Sequence, residues 1–276
     1  MRHRYASHLL LPLLLLATAA TAAEFWLRPT RFMVAPGSRV HLGRWVGAGF
    51  QGQRWTGLST RLEQLTHFQP GTTEPQDLTA PARQADTLST TVTLAQPGVH
   101  LLALRTNDAY LTLPAAEFEA YLKEEGLSDV LWQRQKRKQQ DQPGREAYRR
   151  CAKTLVLAGT LPAADTTFRR RAGHPLEIIP EQNPYALKPG ASLTVLVLAD
   201  GAPLPSQAVH ARLRPTDGHP PQDFTLRTNQ NGRALLRMQY PADVLLATMQ
   251  MRRLSQHPQA DWQSTWATLT FGFTAH

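Results

Sequence analysis

The stretch H174-PLEIIPEQNPYALKPGASLTVLVLADGAP-L204 decides the fold. Pro180, Pro184 and Pro189 keep its first half extended, because proline fixes φ and biases the residue before it toward β or polyproline geometry. Pro189-Gly190 is a turn signal. Leu193 to Leu198 then carries no charge and is rich in Leu and Val. A run this short, with turn residues at both ends, reads as a strand covered on most of its surface rather than as a helix. Alternation puts Leu193, Val195 and Val197 on one face and Leu196 and Leu198 on the other. Asp200-Gly201 turns the chain, and Ala202-Pro203-Leu204 leads into the next strand.

Toward the C-terminus the same pattern recurs. Val209, Ala211 and Leu213 alternate with His210 and Arg212, as a half-buried strand requires. Phe224 to Arg227 and Ala234 to Met238 flank Asn229 to Gly232, and Asn231-Gly232 is a hairpin signal. Val244 to Met251 and Thr265 to Phe273 read as further strands, the last offering Trp266, Leu269, Phe271 and Phe273 to a core. Toward the N-terminus, Arg39 to Val46, Thr87 to Leu94, Val99 to Arg105 and Tyr110 to Leu113 read as strands, with weaker support for Leu58 to Phe68. Residues 66–85 lack a clear period and read as loop. Between the two groups, Phe118, Tyr121 and Leu122 fall at helical spacing and Gly126 stops that helix. Ser128 is placed to cap a second helix, broken at Gln142-Pro143-Gly144, and Thr154 to Ala158 enters a strand. The expected organisation is mainly β: two β-sandwich units, immunoglobulin-like or transthyretin-like, with a helical insert between them. The boundaries are 24–113, 114–153 and 154–276.

Composition agrees. The 21 prolines and 17 glycines are spread along the 276 residues, which favours many short strands. Arg2 and Arg4, the apolar run Leu9 to Leu16 and the alanines up to Ala23 form a signal peptide over 1–23. The apolar run is shorter than the ~20 residues that span a bilayer, and no later segment is long enough either. The expected location is therefore the periplasm. Net charge is +9, but the one dense basic run, Arg134 to Lys138, reads as a solvated helix face, not a nucleic-acid surface. The only cysteine, Cys151, leaves no internal disulfide and reads as a small buried hydrophobe. There is no Gly-x-Ser-x-Gly elbow, phosphate loop or His-Glu-x-x-His, so the reading is non-enzymatic.

The motifs HPLEIIPEQNPYALKPG, DGAPL and DWQSTWATLTFGF (from Asp261) resemble a bacterial exported family of uncharacterised function whose members are often labelled a nickel-uptake substrate-specific region. The resemblance runs from Glu24 to Phe273. ADGAPLPSQAV with NQNGRA also resembles transthyretin-like sandwiches. The family resemblance implies handling of a divalent transition metal, nickel or copper, and delivery to a membrane metal transporter or outer-membrane receptor. In relatives a histidine precedes the acidic-Phe-Trp motif; here Ala23 precedes Glu24-Phe25-Trp26. Relatives have His-Met in a late strand; here it is Gln250-Met251. Binding should then be weak, with Glu24, Met249, Met251, His257 and Asp261 as the remaining candidate ligands. The alternative is a structural or protein-interaction module that has lost the metal site. Phe25, Trp26, Asn183, Pro184, Tyr185, Asp261, Trp262 and Trp266 read as structural. The exported chain should begin at Ala23 or Glu24, and mass spectrometry of a periplasmic fraction checks this; an intact Met1 there refutes it.

Overall fold

The computed structural model of the chain describes residues 24–84 and 89–274. The expected signal peptide, 1–23, lies outside the described residues. In chain order the elements are β1 (Glu24–Pro29), β2 (Met33–Val34), β3 (Ser38–Ala48), β4 (Gln51–Arg54), β5 (Leu62–Phe68), β6 (Gln76–Asp77), α1 (Thr79–Gln84), β7 (Ser89–Leu94), β8 (Gly98–Thr106) and β9 (Ala109–Leu113). Then come α2 (Ala115–Glu124), α3 (Ser128–Lys136), β10 (Gly144–Ala158), β11 (Leu176–Pro180), β12 (Ser192–Ala199), β13 (Ala202–Pro203), β14 (Ala208–Pro215), β15 (Gln222–Arg227), β16 (Arg233–Arg237), β17 (Ala242–Arg253) and β18 (Trp262–Phe273). The fold is mainly β, as the turn spacing predicts.

One ten-stranded sheet runs through the molecule in the order β15-β14-β17-β18-β10-β8-β5-β6, with β2 and β9 also paired to β10. At its centre β10 and β18 pair in parallel, from Glu146 opposite Trp262 to Thr154 opposite Thr270. Two four-stranded sheets lie on it: β1, β3, β4 and β7, and β11, β12, β13 and β16. Strand alternation shows that they take opposite faces. Cys151, Leu155 and Leu157 of β10 pack with Leu176 and Ile178 of β11 and Val195 of β12. Ala152, Val156 and Ala158 pack with Phe25 and Leu27 of β1 and Val40 of β3. In β18, Leu269, Phe271 and Phe273 join the first cluster. On the other face the Thr268 and Thr270 hydroxyls donate to Phe25 O and Leu27 O.

The two sandwiches thus share their middle sheet instead of standing side by side. β10 crosses the expected 153/154 boundary as one strand of 15 residues, and the helices end at Lys136. Its sequence does not alternate because both faces are covered, so both need side chains that tolerate burial.

The helices cover the part of the β1 face that the small sheet leaves open. Phe118, Tyr121 and Leu122 of α2 and Val130 of α3 pack on Met249, Met251, Trp262 and Trp266. The approach is close: a Cβ at Gly144 would collide with the Phe118 ring. Ser128 opens α3 but does not cap it; Leu127 holds the cap position with no side-chain hydrogen bond. Arg134 leaves the solvated face expected of the basic run. It is buried, lies over Phe118, and donates to Gln139 O and Gln142 O beyond the helix end. Residues 79–84, expected as loop, form α1.

The Asn229 to Gly232 turn forms, with Gly232 at φ 72 and Asn229 Oδ1 accepting from Asn231 N and Arg233 N. It is not a hairpin. β15 pairs with β14 in the central sheet, while β16 pairs with β12 in the covering sheet, so the turn carries the chain between layers. Leu193, Val195 and Val197 face the core together, as predicted, and Leu198 on the other face is also buried.

Trp266 is 6% exposed under the helices. Trp266→Ala should lower the unfolding free energy by about 3–5 kcal/mol in urea titrations; a loss under ~1 kcal/mol contradicts this packing.

Candidate functional site

β14 turns Val209, Ala211 and Leu213 into the core, which leaves His210, Arg212 and Arg214 on the opposite face. The start of β1 and the end of α2 meet them there. Glu24 is buried, with Oε1 3.4 Å from Arg212 Nη2. Its Oε2 and Arg212 Nε have no hydrogen-bond partner. His210 Nε2 stands 4.0 Å from Glu125 Oε2, just past α2, and its Nδ1 is 3.1 Å from Thr225 Oγ1. Arg214 is held by Asp223, at 2.7 Å, and by Gly49 O.

Burial dominates the electrostatics. It pushes the Glu125 carboxyl up to about 8, helped by the negative charges of Glu24 and Glu124. Burial raises Glu24 as well, against the opposing pull of Arg212. His210 is lowered by burial and by Arg212. Beneath α2, Glu146 is pushed up to about 7 by burial although Ser264 and Tyr121 donate to it. Beside this cluster a polar cleft of about 330 Å³ opens between the α2–α3 turn and the strands, lined by Glu125, Ser128, Gln207, Arg227, Gln250 and Met251.

The other sequence-predicted ligands have partners of their own. Met249 and Met251 face the same way and are buried under the helices, where Met251 also forms part of the cleft wall. His257 Nδ1 accepts from Gln259 N and Ala260 N, and its ring stacks on Tyr110. Asp261 forms a bidentate pair with Arg145 at 2.9 and 2.8 Å, and its carbonyl accepts from Leu254 N. Glu24 does not meet these residues. Its partner Arg212 lies opposite Leu245, whereas Asp261 lies beyond Arg253, about 26 Å farther along β17. Among the described residues no three His, Cys, Asp or Glu side chains are grouped closely enough to hold a metal ion.

The motif residues sit as packing and capping groups. Phe25 meets Trp55 edge-on, Trp26 meets Phe50, and Trp262 lies under the helices. Asn183 Oδ1 accepts from Tyr185 N at the start of a short turn that Pro184 opens. The Tyr185 hydroxyl bonds Phe32 O and Leu155 O. Cys151 is buried, and burial pushes its thiol up to about 12, which makes it unreactive. Sequence reading reached Glu24 but missed Glu125 and His210. The only signal for His210 was its place on the polar side of an alternating strand.

The family model for a domain of unknown function, DUF4198, matches residues 20–252. The chain belongs to that family. No curated protein matches this DUF4198 chain. A solved structure, three N-terminal domains of the bacteriophage RB49 Highly Immunogenic Outer Capsid protein (Hoc), is similar over 92% of this chain and 71% of that chain. Identity is 9% and the TM-score 0.21, so the likeness carries no argument. No helix among the described residues is long and apolar enough to cross a membrane.

The raised carboxyls give this DUF4198 protein a pH signature. Glu125 and Glu146 bind their protons more tightly in the folded than in the unfolded state. The stability they contribute is complete below the ordinary glutamate value of 4.5 and is lost as pH rises through about 7 and about 8. Glu125→Gln should therefore flatten the decline of unfolding free energy between pH 5 and 8. One such proton accounts for a slope of at most about 1.4 kcal/mol per pH unit. Denaturant titrations at each pH check it, and identical slopes for variant and parent contradict it.

Proposed function

We propose that the protein is an exported, non-enzymatic accessory in transition-metal handling that binds a nickel-like divalent ion weakly and presents it to a membrane metal transporter or outer-membrane receptor. The observation that supports this is a pair, His210 and Glu125 at 4.0 Å beside a polar cleft, with Glu24 near enough for its charge to act on Glu125, since imidazole and carboxylate together suit nickel and copper and a pair is short of a full ligand set. Cleavage before Ala23 or Glu24 would leave a new amine within one residue of this group. Binding is weak on this reading for two reasons. Arg212 already occupies Glu24, and Glu125 holds a proton at neutral pH, so a cation competes with both. Ala23 and Gln250 also supply no imidazole where relatives have one.

A second reading, a structural or protein-interaction module that keeps the fold without the ion, is supported by the structural engagement of Met249, Met251, His257 and Asp261.

Calorimetric titration of the tag-free mature protein with Ni and Cu separates the two. The metal reading expects weak one-to-one binding that strengthens as pH rises from 6 to 8, is lost in His210→Ala, and tightens in Ala23→His with Gln250→His. No binding by the parent or by the histidine-restored variant leaves the interaction module. Tight binding that survives His210→Ala places the ligands elsewhere.

A further inference from the structure

The HPLE sequence that opens the fold-deciding stretch builds a second polar site. Lys153 of β10 and Glu177 of β11 form an ion pair at 2.8 Å with both side chains 2% exposed. Glu177 Oε1 takes Lys153 Nζ and also Ala172 N. His174 is 4% exposed, and its Nδ1 is buried without a hydrogen-bond partner. A buried ion pair is weak evidence for stability, because well-packed apolar residues often serve as well, and an orphaned buried nitrogen is a cost. Both groups lie where the chain leaves an opening. His174 and Glu177 line a pocket of about 320 Å³ whose rim carries Arg171 and Asp200. That volume is at the small end of ligand sites, about 300–1,000 Å³.

The charges select the ligand class. A simple anion would meet Glu177 and Asp200. A simple cation would meet Arg171 at the rim and Lys153 behind Glu177. A molecule carrying both charges a few bonds apart satisfies both sets. We propose that this pocket binds a small zwitterion of the α-amino acid class, with its ammonium on Glu177 and Asp200 and its carboxylate on Arg171, and with the His174 ring forming part of the wall. Asp200 also pairs with Arg252 at 2.8 Å. That pair is more than half exposed on both sides, so it yields readily to a competing ammonium.

The test uses the full mature chain without a tag, in EDTA, so that its outcome is independent of metal binding. Thermal-shift screening of the twenty amino acids, with methylamine and acetate as single-charge controls, is followed by calorimetry. At least one amino acid should bind one-to-one and raise Tm, while methylamine and acetate at equal concentration do not. Arg171→Gln and Asp200→Asn change only exposed rim residues and should each weaken that binding at least tenfold with the fold unchanged by circular dichroism. Absence of binding across the panel overturns the proposal. So does acetate or methylamine binding as well as the best amino acid, or binding that both variants leave unchanged.

Discussion

The parallel pairing of β10 with β18 is the constraint on which the rest depends, because it is covered on both faces along most of its length. Polar groups on such strands have no water to turn to. Their partners therefore come from whatever lies above and below. Thr268 and Thr270 hold the carbonyls of Phe25 and Leu27, which seats β1 on the sheet by hydrogen bonds as well as by packing. Tyr185 reaches from the opposite side to Leu155 O and Phe32 O, so one hydroxyl ties the fold-deciding stretch to β10 and to the segment following β1. Glu24 owes its position to this. It is the first residue of a strand whose next residues are held at Phe25 and Leu27, and Arg212 faces it from β14.

The same constraint explains where ionisable residues appear. β10 carries Glu146 toward the helices and Lys153 toward β11, and each is matched across a layer, Glu146 by Tyr121 and Lys153 by Glu177, with Ser264 of the neighbouring strand β18 adding a second hydroxyl to Glu146. These matches differ in kind. A lysine and a carboxylate at contact distance hold opposite charges, and Lys153 keeps the Glu177 carboxyl below its usual range despite burial. Glu146 has only hydroxyl donors, which do not offset its desolvation, so it rises to about 7. For these two carboxyls the difference is thus whether the layer opposite offers a cation in direct contact.

Strands with one covered face were legible in the sequence. β14 and β12 alternate, and their registers follow from Val209, Ala211 and Leu213 and from Leu193, Val195 and Val197. Only the end of β10, Thr154 to Ala158, was legible; its first ten residues were not, since the polar residues in GREAYRRCAK mask a strand that needs burial on both sides. The Asn231-Gly232 turn was legible as a turn but not as a layer crossing, because local turn geometry does not encode which sheet the next strand joins. The acid and imidazole cluster was least legible. Glu24, Glu125 and His210 come from three separate regions of the chain, and each alone looks like an ordinary surface residue. Burial, which sequence spacing does not report, is what sets them apart.

The helices couple the cluster to the core. α2 rests on Gly144 and covers Trp262 and Trp266 through Phe118 and Tyr121, and it ends beside Glu125. Tyr121 also donates to Glu146. The aromatic contacts that dock α2 and the carboxyls whose burial raises their pKa are therefore consequences of one placement. Lifting α2 would hydrate Glu146 and Glu125 and let both ionise, and ionising them would in turn favour lifting α2. Proton binding at this corner thus acts through the seating of α2, with the central sheet as its base.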